Sequence, residues 1–459
     1  MELKKSNYNV FFKINEEKFL AYNLMSKALA EFCSEDFEKI NQILEKPNIK
    51  YASSYEKLKD DLLKGKFLIK ERLSETKILE TLYLNEKFNS RKLSLTIIPN
   101  FACNFDCPYC YQNQLKASSY YDLENAKMNQ REKDAIVDYI DKATIKKEEL
   151  SVTWYGGEPL LSISDIVNMS LDIKKICEKN DCKYFSFIIT NGYLLNMETS
   201  KRLKNSGIKY FIVTFEGPPE IHDKRRVTKD GSPTFDTIFQ NIKDSLNIFD
   251  KIFIRINLDT ENINFLGDFI NLLISKGLDS NKVYLIFAPT QITSACNMEG
   301  SQLDYSIFYN LLIEEIDHIL KTHINIFVGD KSQTFGCSAT KNNNFVISPE
   351  GNIYKCVTFA GDTAFRDGYL DTNNAEIKLN YNTIAWTSWS PFKDEKCSNC
   401  YLLPFCYGGC PYNSILKELR REDKYMRPAV NVNCKGNVLK ELEFFIMQKY
   451  RNYMRKYNV

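Results

Sequence analysis

Histidine is scarce in this sequence, which has His222, His318 and His323 among its 459 residues. None of the three lies near a cysteine cluster at the spacing of a metal site, so any metal centre must be built mainly on sulfur. The sequence also lacks an apolar run near 18 residues, and we therefore expect no transmembrane helix.

The sequence also lacks a large net charge of either sign. The 61 basic and 59 acidic side chains leave a formal net charge of +2, which gives no support to a nucleic acid or a membrane surface as the main partner. The start, MELKKSNYNV, lacks the apolar stretch of a secretory signal, so we expect a cytoplasmic protein. Because the cytoplasm keeps thiols reduced, the fourteen cysteines favour metal ligation or redox chemistry over disulfides.

The first of three predicted domains covers residues 1–92. Its apolar pattern predicts a hairpin over 8–24, helices over 36–44 and 55–63, a strand over 64–69 and a further helix over 73–88. This order suggests a winged-helix-like module. The module shows few positive charges arranged for binding DNA, so we interpret it as a peptide-binding or packing module.

Residues 93–325 alternate between strands and helices. Strands are predicted over 93–100, 150–156, 184–191, 209–216, 251–259 and 282–289, with helices between and after them. Six βα units imply an α/β fold with a parallel sheet and right-handed crossovers, either open and doubly wound or a partial barrel. Residues 326–459 are irregular and cysteine-rich, and they end in a predicted helix over 436–455.

Unusual residues follow five successive predicted strands. In chain order they are Cys103, Cys107 and Cys110, then Gly156, Gly157 and Glu158, then Thr190 and Asn191, then Glu216, then Arg255 and Asn257. Active sites of parallel α/β folds form at the carboxyl ends of the strands. The sequence therefore predicts one pocket with the cysteine loop beside it.

Three thiolates on one loop can hold three irons of a 4Fe-4S cluster and leave the fourth iron open for a ligand. The alternatives are a zinc site that lacks a ligand, or buried structural cysteines. Structural zinc sites are closed and four-coordinate, which weighs against the first alternative.

The spacing Cys103-x3-Cys107-x2-Cys110, with Tyr109 before the last cysteine, resembles that of radical S-adenosylmethionine (SAM) enzymes. The resemblance implies a partial (β/α)6 TIM-like barrel whose open iron is chelated by SAM. One electron from the cluster would cleave SAM to a 5′-deoxyadenosyl radical, which abstracts a hydrogen atom. The catalytic acid or base is not assigned.

The resemblance also implies which polar residues contact SAM. Gly156 and Gly157 would let the backbone approach the ligand, and Glu158 would pair with the methionine ammonium. Thr190 and Asn191 would reach the ribose or carboxylate, although Thr-Asn-Gly is also an ordinary turn sequence.

The stretch FEGPPEIHDKRR over 215–226 resembles a family motif in which Glu216 stands where aspartate is more usual. The resemblance implies that Tyr109 and Glu216 are also cofactor contacts. His222 and Arg226 are candidates to orient SAM or substrate, or to form a structural salt bridge. Arg255 and Asn257 are candidates for contacts with the SAM carboxylate and adenosine.

Seven more cysteines form a second system. Their order resembles that of the SPASM domain, which holds two auxiliary 4Fe-4S clusters, and no histidine supports a zinc ribbon. The resemblance assigns the first cluster to Cys337, Cys356 and Cys410, and the second to Cys397, Cys400, Cys406 and Cys434. The first set is one ligand short, so either Cys296 completes it or that iron stays open.

The predicted function is that of a maturase of ribosomally made peptides, which would form a thioether or carbon–carbon crosslink. Its partners would be a precursor peptide, whose leader binds the N-terminal module, and a flavodoxin- or ferredoxin-type electron donor. One alternative is an anaerobic sulfatase-maturating enzyme, which makes formylglycine but lacks a long N-terminal module. A non-catalytic zinc-binding scaffold is the alternative from another class.

Overall fold

The N-terminal residues form a small antiparallel sheet packed between helices. The structure is a computed structural model, which describes residues 2–110, 112, 126–290, 303–329, 334–420 and 434–457. Its first elements are β1 (Leu3–Lys5), β2 (Asn9–Lys13), β3 (Lys18–Asn23), β4 (Leu29–Cys33), α1 (Ser34–Glu45), α2 (Ser53–Lys64), β5 (Leu68–Lys70) and α3 (Glu75–Lys87). Strands β2, β3 and β4 pair in that order, and β1 pairs with β5.

The predicted hairpin and the three predicted helices are present in this module, but β1 and β4 were not predicted. β1 is only three residues long and gives no usable periodicity. In β3, Leu20, Ala21 and Tyr22 are all buried, because Ala21 packs with the helices α1 and α2 and its two neighbours face the C-terminal helix.

Six parallel strands with intervening helices follow. The strands are β6 (Lys92–Ile97), β7 (Glu149–Trp154), β8 (Lys183–Thr190), β9 (Tyr210–Phe215), β10 (Ile252–Leu258) and β11 (Val283–Pro289). The helices are α4 (Gln130–Thr144), α5 (Ile163–Lys179), α6 (Met197–Asn205), α7 (Pro219–Arg225), α8 (Phe235–Ser245), α9 (Leu266–Leu273) and, after β11, α10 (Tyr305–Leu320). All six predicted strands lie within a few residues of the observed ones.

The strand order decides between the two predicted architectures. A doubly wound sheet reverses its order at a switch point, whereas β6 to β11 lie side by side in chain order. With right-handed crossovers, chain order places the helices on one face of the sheet and leaves the other face as a lumen. β11 pairs with β12 (Asn325–Ile326) rather than with β6, so the predicted partial (β/α)6 barrel is confirmed.

The C-terminal region extends the barrel sheet. Its elements are β13 (Asn344–Ile347), β14 (Asn352–Tyr354), β15 (Gly368–Asp371), β16 (Glu376–Leu379), α11 (Asn382–Ser388), α12 (Glu395–Ser398), α13 (Leu403–Cys406), α14 (Tyr412–Glu418) and α15 (Cys434–Tyr457). Strand β13 pairs in parallel with β6, and β14 to β16 add antiparallel strands, for eleven in all. The region is therefore continuous with the barrel through backbone hydrogen bonds.

Helix α15 joins the two ends of the chain. Leu442, Phe445 and Tyr450 are buried, and Val438 is half-buried. They share one apolar cluster with side chains of β2 and β3, and the Tyr450 hydroxyl donates a hydrogen bond to Glu31. Among the helices that the structure describes, none is long and apolar enough to cross a membrane.

Candidate functional site

The loop after β6 carries the three clustered cysteines, all half-buried. Phe105 anchors this loop: its ring is buried in the barrel core and contacts Tyr193 edge-on, with ring centroids 5.7 Å apart. Burial, with a contribution from nearby Glu158, raises the pKa of the Cys103 thiol to about 12. A metal that binds the thiolate would reverse this preference for the neutral thiol, and soft iron–sulfur centres prefer such ligands.

Gly156 and Gly157 lie directly beneath this loop. A Cβ added at Gly157 would stand 2.1 Å from the carbonyl oxygen of Ala102, and one added at Gly156 would stand 2.4 Å from that of Asn100. Gly156 also has a φ of +140°, which other residues rarely adopt. The close approach that the glycines allow is therefore to the cysteine loop itself, a role that the sequence did not predict.

Glu158 joins the cysteine loop to the end of β8. Its backbone N–H donates to Ala102 over 2.7 Å, and its buried carboxylate accepts from the Thr190 hydroxyl (2.6 Å), the Asn191 N–H (2.7 Å) and the Leu160 N–H (2.9 Å). Burial raises the pKa of this carboxyl group, although these hydrogen bonds oppose the shift. The structure thus brings together the residues predicted from the ends of β7 and β8.

A second network lies at the ends of β9 and β10. Glu216 is buried and accepts hydrogen bonds from the Tyr109 hydroxyl (2.6 Å) and the Asn257 amide (3.0 Å). Arg226 donates to the Tyr109 oxygen over 2.8 Å, and Arg255 donates to the Asn257 oxygen over 2.8 Å. Burial raises the pKa of Tyr109 well above its ordinary value, so Tyr109 remains a neutral donor.

The second network ties the cysteine loop to the barrel through Tyr109. The sequence predicted Tyr109, Glu216, Arg255 and Asn257 as cofactor contacts, and the structure links all four by hydrogen bonds. The sequence indicated Arg226 as a candidate to orient SAM or substrate, or to form a salt bridge, but it did not predict the hydrogen bond of Arg226 to Tyr109. The only sequence signal for Arg226 is its place at the end of the motif over 215–226.

His222 has a structural environment. The Glu216 N–H donates to His222 Nδ1 over 3.4 Å, and Thr234 Oγ1 lies 3.1 Å from Nε2 while donating its own proton to the Arg226 carbonyl. Nε2 must therefore carry the proton. Burial, with Arg226 nearby, holds the pKa of His222 well below its ordinary value. A neutral, satisfied imidazole favours the structural alternative for this residue.

Arg225 forms a buried ion pair with Asp259 next to the second network, since its guanidinium also lies 3.7 Å from Glu216. Its guanidinium makes two hydrogen bonds of 2.8 Å to Asp259 and one of 2.7 Å to Glu261. Asp259 is fully buried, whereas the Glu261 side chain is 65% exposed. The two acids therefore provide a matched comparison.

We expect Asp259→Ala to lower the free energy of unfolding by about 3–5 kcal/mol, because it leaves the Arg225 charge buried without its main partner. Glu261→Ala removes an exposed partner and should cost at most about 1 kcal/mol. Chemical denaturation of the two full-length variants under anaerobic conditions measures both values. Equal losses would contradict the assignment.

The C-terminal cysteines fall into two groups. Cys356 and Cys410 lie close enough to Cys337 for their charge to raise the pKa of its thiol. Cys397, Cys400 and Cys434 lie similarly close to Cys406. These groups match the two sets that the resemblance implies, and their role as cluster ligands stays a prediction. Cys296, the suggested additional ligand, lies outside the described residues.

No three acidic, histidine or cysteine side chains of the described ranges stand close enough together to hold one metal ion. A 4Fe-4S cluster instead uses a different iron for each cysteine, so its ligands are spread around a larger group. Thiol groups of three and four members fit that chemistry.

The family model described as "Radical SAM superfamily" matches residues 97–273, which run from the end of β6 to the end of α9. These residues form a radical SAM domain. The cofactors that this family uses are a 4Fe-4S cluster and SAM, and the three-cysteine loop with its two polar networks is the part of the domain that suits them.

Curated relatives cover most of the chain. The radical SAM cyclopropyl synthase TigE of Paramaledivibacter caminithermalis is 25% identical over 335 residues, or 69% of this chain and 67% of its own. The serine-type anaerobic sulfatase-maturating enzyme of Bacteroides thetaiotaomicron is 25% identical over 73% of this chain and 84% of its own.

Solved structures share the fold of this chain. Native anSMEcpe with bound AdoMet and Cp18Cys peptide is similar with a TM-score of 0.55 at 18% identity, over 80% of this chain and 99% of its own. Streptococcus suis SuiB bound to the precursor peptide SuiA is similar with a TM-score of 0.53 at 16% identity, over 94% of this chain and 99% of its own.

Proposed function

We propose that this radical SAM enzyme is a peptide maturase that removes a hydrogen atom from a residue of a ribosomally made precursor peptide and so forms a thioether or carbon–carbon crosslink. The observation that carries the proposal is the arrangement of three cysteines and two buried polar networks at the same end of the barrel. The bound cluster and SAM supply an electron and a 5′-deoxyadenosyl radical.

The first polar network would hold the methionine part of SAM. Glu158 is a buried carboxylate that lies close enough to Cys103 to contribute to the raised pKa of its thiol. A bound ammonium group would offset the negative charge of this carboxylate and of the three thiolates. A carboxylate has about four acceptor positions, of which Glu158 uses three. We therefore assign the ammonium to the remaining position.

The second polar network would fix the cysteine loop and face the rest of SAM. Arg226 and Glu216 hold the Tyr109 hydroxyl from two sides, which limits the movement of the loop that carries Cys107 and Cys110. Arg255 is exposed to the lumen, so its guanidinium is the group available for a carboxylate of SAM or substrate.

The C-terminal cysteines would hold two auxiliary clusters. Formation of a crosslink from the substrate radical releases one further electron and one proton, and the groups held by the C-terminal cysteines would offer an acceptor for the electron. An external flavodoxin- or ferredoxin-type protein would supply the electron that starts each cycle.

The N-terminal module would bind the leader peptide as an added strand. Strand β3 is already paired on both sides, with β2 and with β4, so an added strand has to pair at an outer edge of this sheet. We take the free edge of β4 as the candidate. The register of β3 with β4 directs the backbone groups of Leu29 and Glu31 away from β3. An extended peptide could pair with these groups.

Sulfatase maturation is the second candidate, because several curated relatives carry that name. The structural match to SuiB covers 94% of this chain, whereas the match to anSMEcpe covers 80%. The larger coverage favours the peptide-maturase proposal on the basis of architecture. The zinc scaffold is not retained, since residues 97–273 are a radical SAM domain.

The test of the proposed function starts from protein reconstituted with iron and sulfide without oxygen. We expect about twelve irons per chain, as three 4Fe-4S clusters require, and 5′-deoxyadenosine after addition of SAM and dithionite. Liquid chromatography measures the nucleoside. Absence of 5′-deoxyadenosine from iron-loaded protein would refute the proposal.

The same protein distinguishes the two candidate reactions. Incubation with a peptide encoded beside the gene should yield a crosslink that tandem mass spectrometry locates between two residues. A serine or cysteine sulfatase peptide should remain unchanged. Formation of an aldehyde that reacts with a hydrazide reagent would favour sulfatase maturation instead.

A further inference from the structure

The end of the barrel lumen opposite the cysteine loop contains an apolar cavity of about 440 Å³. Its walls include Phe185, Tyr210, Ile212, Phe253, Ile286 and Phe327. This volume lies within the range of roughly 300–1,000 Å³ that is typical of ligand sites. Phe185 and Phe327 are 37% and 46% exposed, so the cavity opens to solvent at this end.

The strand register explains why aromatic side chains meet here. Residues paired in parallel strands share a face, and Phe187 pairs with Tyr210 while Ile212 pairs with Phe253, which in turn pairs with Tyr284. The rings of Phe187 and Tyr210 stack 4.8 Å apart, and those of Tyr210 and Phe253 are 4.6 Å apart. Strands β8 to β11 therefore give the lumen an aromatic wall.

Strands β6 and β7 give the same lumen a wall of hydroxyl groups. Ser94 pairs with Ser151, and Thr96 pairs with Thr153, which pairs with Phe187 of the aromatic wall. All four hydroxyl residues are half-buried. Within the described part of the chain, none of their hydroxyls has a hydrogen-bond partner in the protein, so they are available to a bound chain.

The cavity mouth carries more positive than negative charge, since two lysines and one aspartate line it. Lys209 and Lys251 are exposed, and neither lies within ion-pair distance of another described residue, although Lys209 lies near Asp250 and the Lys251 ammonium lies 5.6 Å from the centre of the Tyr284 ring. The third charged lining residue, Asp250, is 2.7 Å from the ammonium of Lys204 and is therefore already paired. An acidic occupant complements this mouth.

We propose that this cavity binds a substrate segment in which a large apolar side chain is flanked by acidic residues. The inference rests on the proposed function, because it takes the substrate to be a peptide. The apolar side chain fills the aromatic cavity, the acidic residues meet Lys209 and Lys251, and the hydroxyl wall receives the peptide backbone. Phe253 and Asn257 are four residues apart on β10, or about 13 Å, so the reacting residue lies about four positions from the anchor.

Isothermal titration calorimetry on the reconstituted full-length protein tests this binding without SAM or reductant. The probes are three seven-residue synthetic peptides with glycine at both ends and Glu-Phe-Glu, Lys-Phe-Lys or Glu-Gly-Glu at the centre. We expect the Glu-Phe-Glu peptide to bind at least about tenfold more tightly than either of the others.

Two variants and one control connect this preference to the cavity. Lys209→Glu with Lys251→Glu should reverse the preference between the acidic and the basic peptide. Lys174→Glu with Lys201→Glu makes the same charge change on the outer helices α5 and α6 and should preserve it. Ile212→Trp fills the cavity and should weaken the Glu-Phe-Glu peptide about tenfold.

Equal affinities for the three peptides would overturn the proposal, as would a preference that the Lys209/Lys251 variant leaves unchanged. Absence of binding together with a dimer that Phe185→Asp dissociates would show that a second copy of the chain covers the cavity, which also overturns it. These measurements need no turnover. A failure to make 5′-deoxyadenosine therefore refutes the proposed function separately from the cavity.

Discussion

Gly157→Ala is expected to reduce 5′-deoxyadenosine formation at least about 100-fold, although it changes no cofactor ligand. The added Cβ would stand 2.1 Å from the Ala102 oxygen and 2.4 Å from the Phe101 oxygen. Both are backbone atoms, so the methyl group cannot be accommodated by rotating a side chain. The loop immediately before Cys103 has to move, and misplacement of reacting groups by about 1 Å is enough for a loss of this size.

The measurement is single-turnover nucleoside formation by the reconstituted variant, together with its iron content. Gly329→Ala is the control, because a Cβ there meets no atom of the described residues within 4 Å, and it should retain the rate of the unmodified protein. The substitution changes none of the C-terminal cysteines, so we expect Gly157→Ala to retain at least the auxiliary iron. An unaltered rate would show that the loop does not depend on this contact.

Cys103→Ala is expected to abolish SAM cleavage and to remove about one third of the bound iron, since one of three clusters would lose a ligand that cannot be replaced. Cys33→Ser is the matched control. Cys33 is exposed and lies in the N-terminal module, and among the described residues its side chain donates one hydrogen bond, to Asp36, which serine can also donate. Iron analysis and nucleoside formation should be unchanged in the control.

Mössbauer spectroscopy adds a readout that does not depend on turnover. The spectrum of Cys103→Ala should lose the component assigned to the SAM-binding cluster and keep the components of the other two. Full iron content with normal nucleoside formation in Cys103→Ala would exclude the loop as the cluster site.

The strands and helices were predictable because the spacing of apolar residues in each segment reflects which of its faces is buried. In β7, the alternation of Leu150, Val152 and Trp154 with polar residues places a buried face toward the helices, and the sequence shows this directly. The candidate residues at the strand ends were predicted from their position, since the carboxyl ends of parallel strands converge, whereas Tyr109 and the C-terminal cysteines were assigned through the family resemblance.

What the sequence could not show depends on contacts between distant segments. The contact of Gly157 with Ala102 joins the ends of two strands, and the Arg226–Tyr109 hydrogen bond joins a helix end to the cysteine loop. The pairing of β13 with β6 joins residues about 250 positions apart. No local pattern encodes such pairs, because neither partner alters the periodicity of its own segment.

The β13–β6 pairing joins the C-terminal region to the strand that precedes the cysteine loop. Strand β6 leads directly into the loop with Cys103, and its outer backbone groups are occupied by Asn344 to Ile347. Loss of the C-terminal region would leave that strand as a bare sheet edge, which readily recruits strands from other chains. The C-terminal region therefore cannot be lost or replaced without exposing the edge of the strand that leads to the cysteine loop.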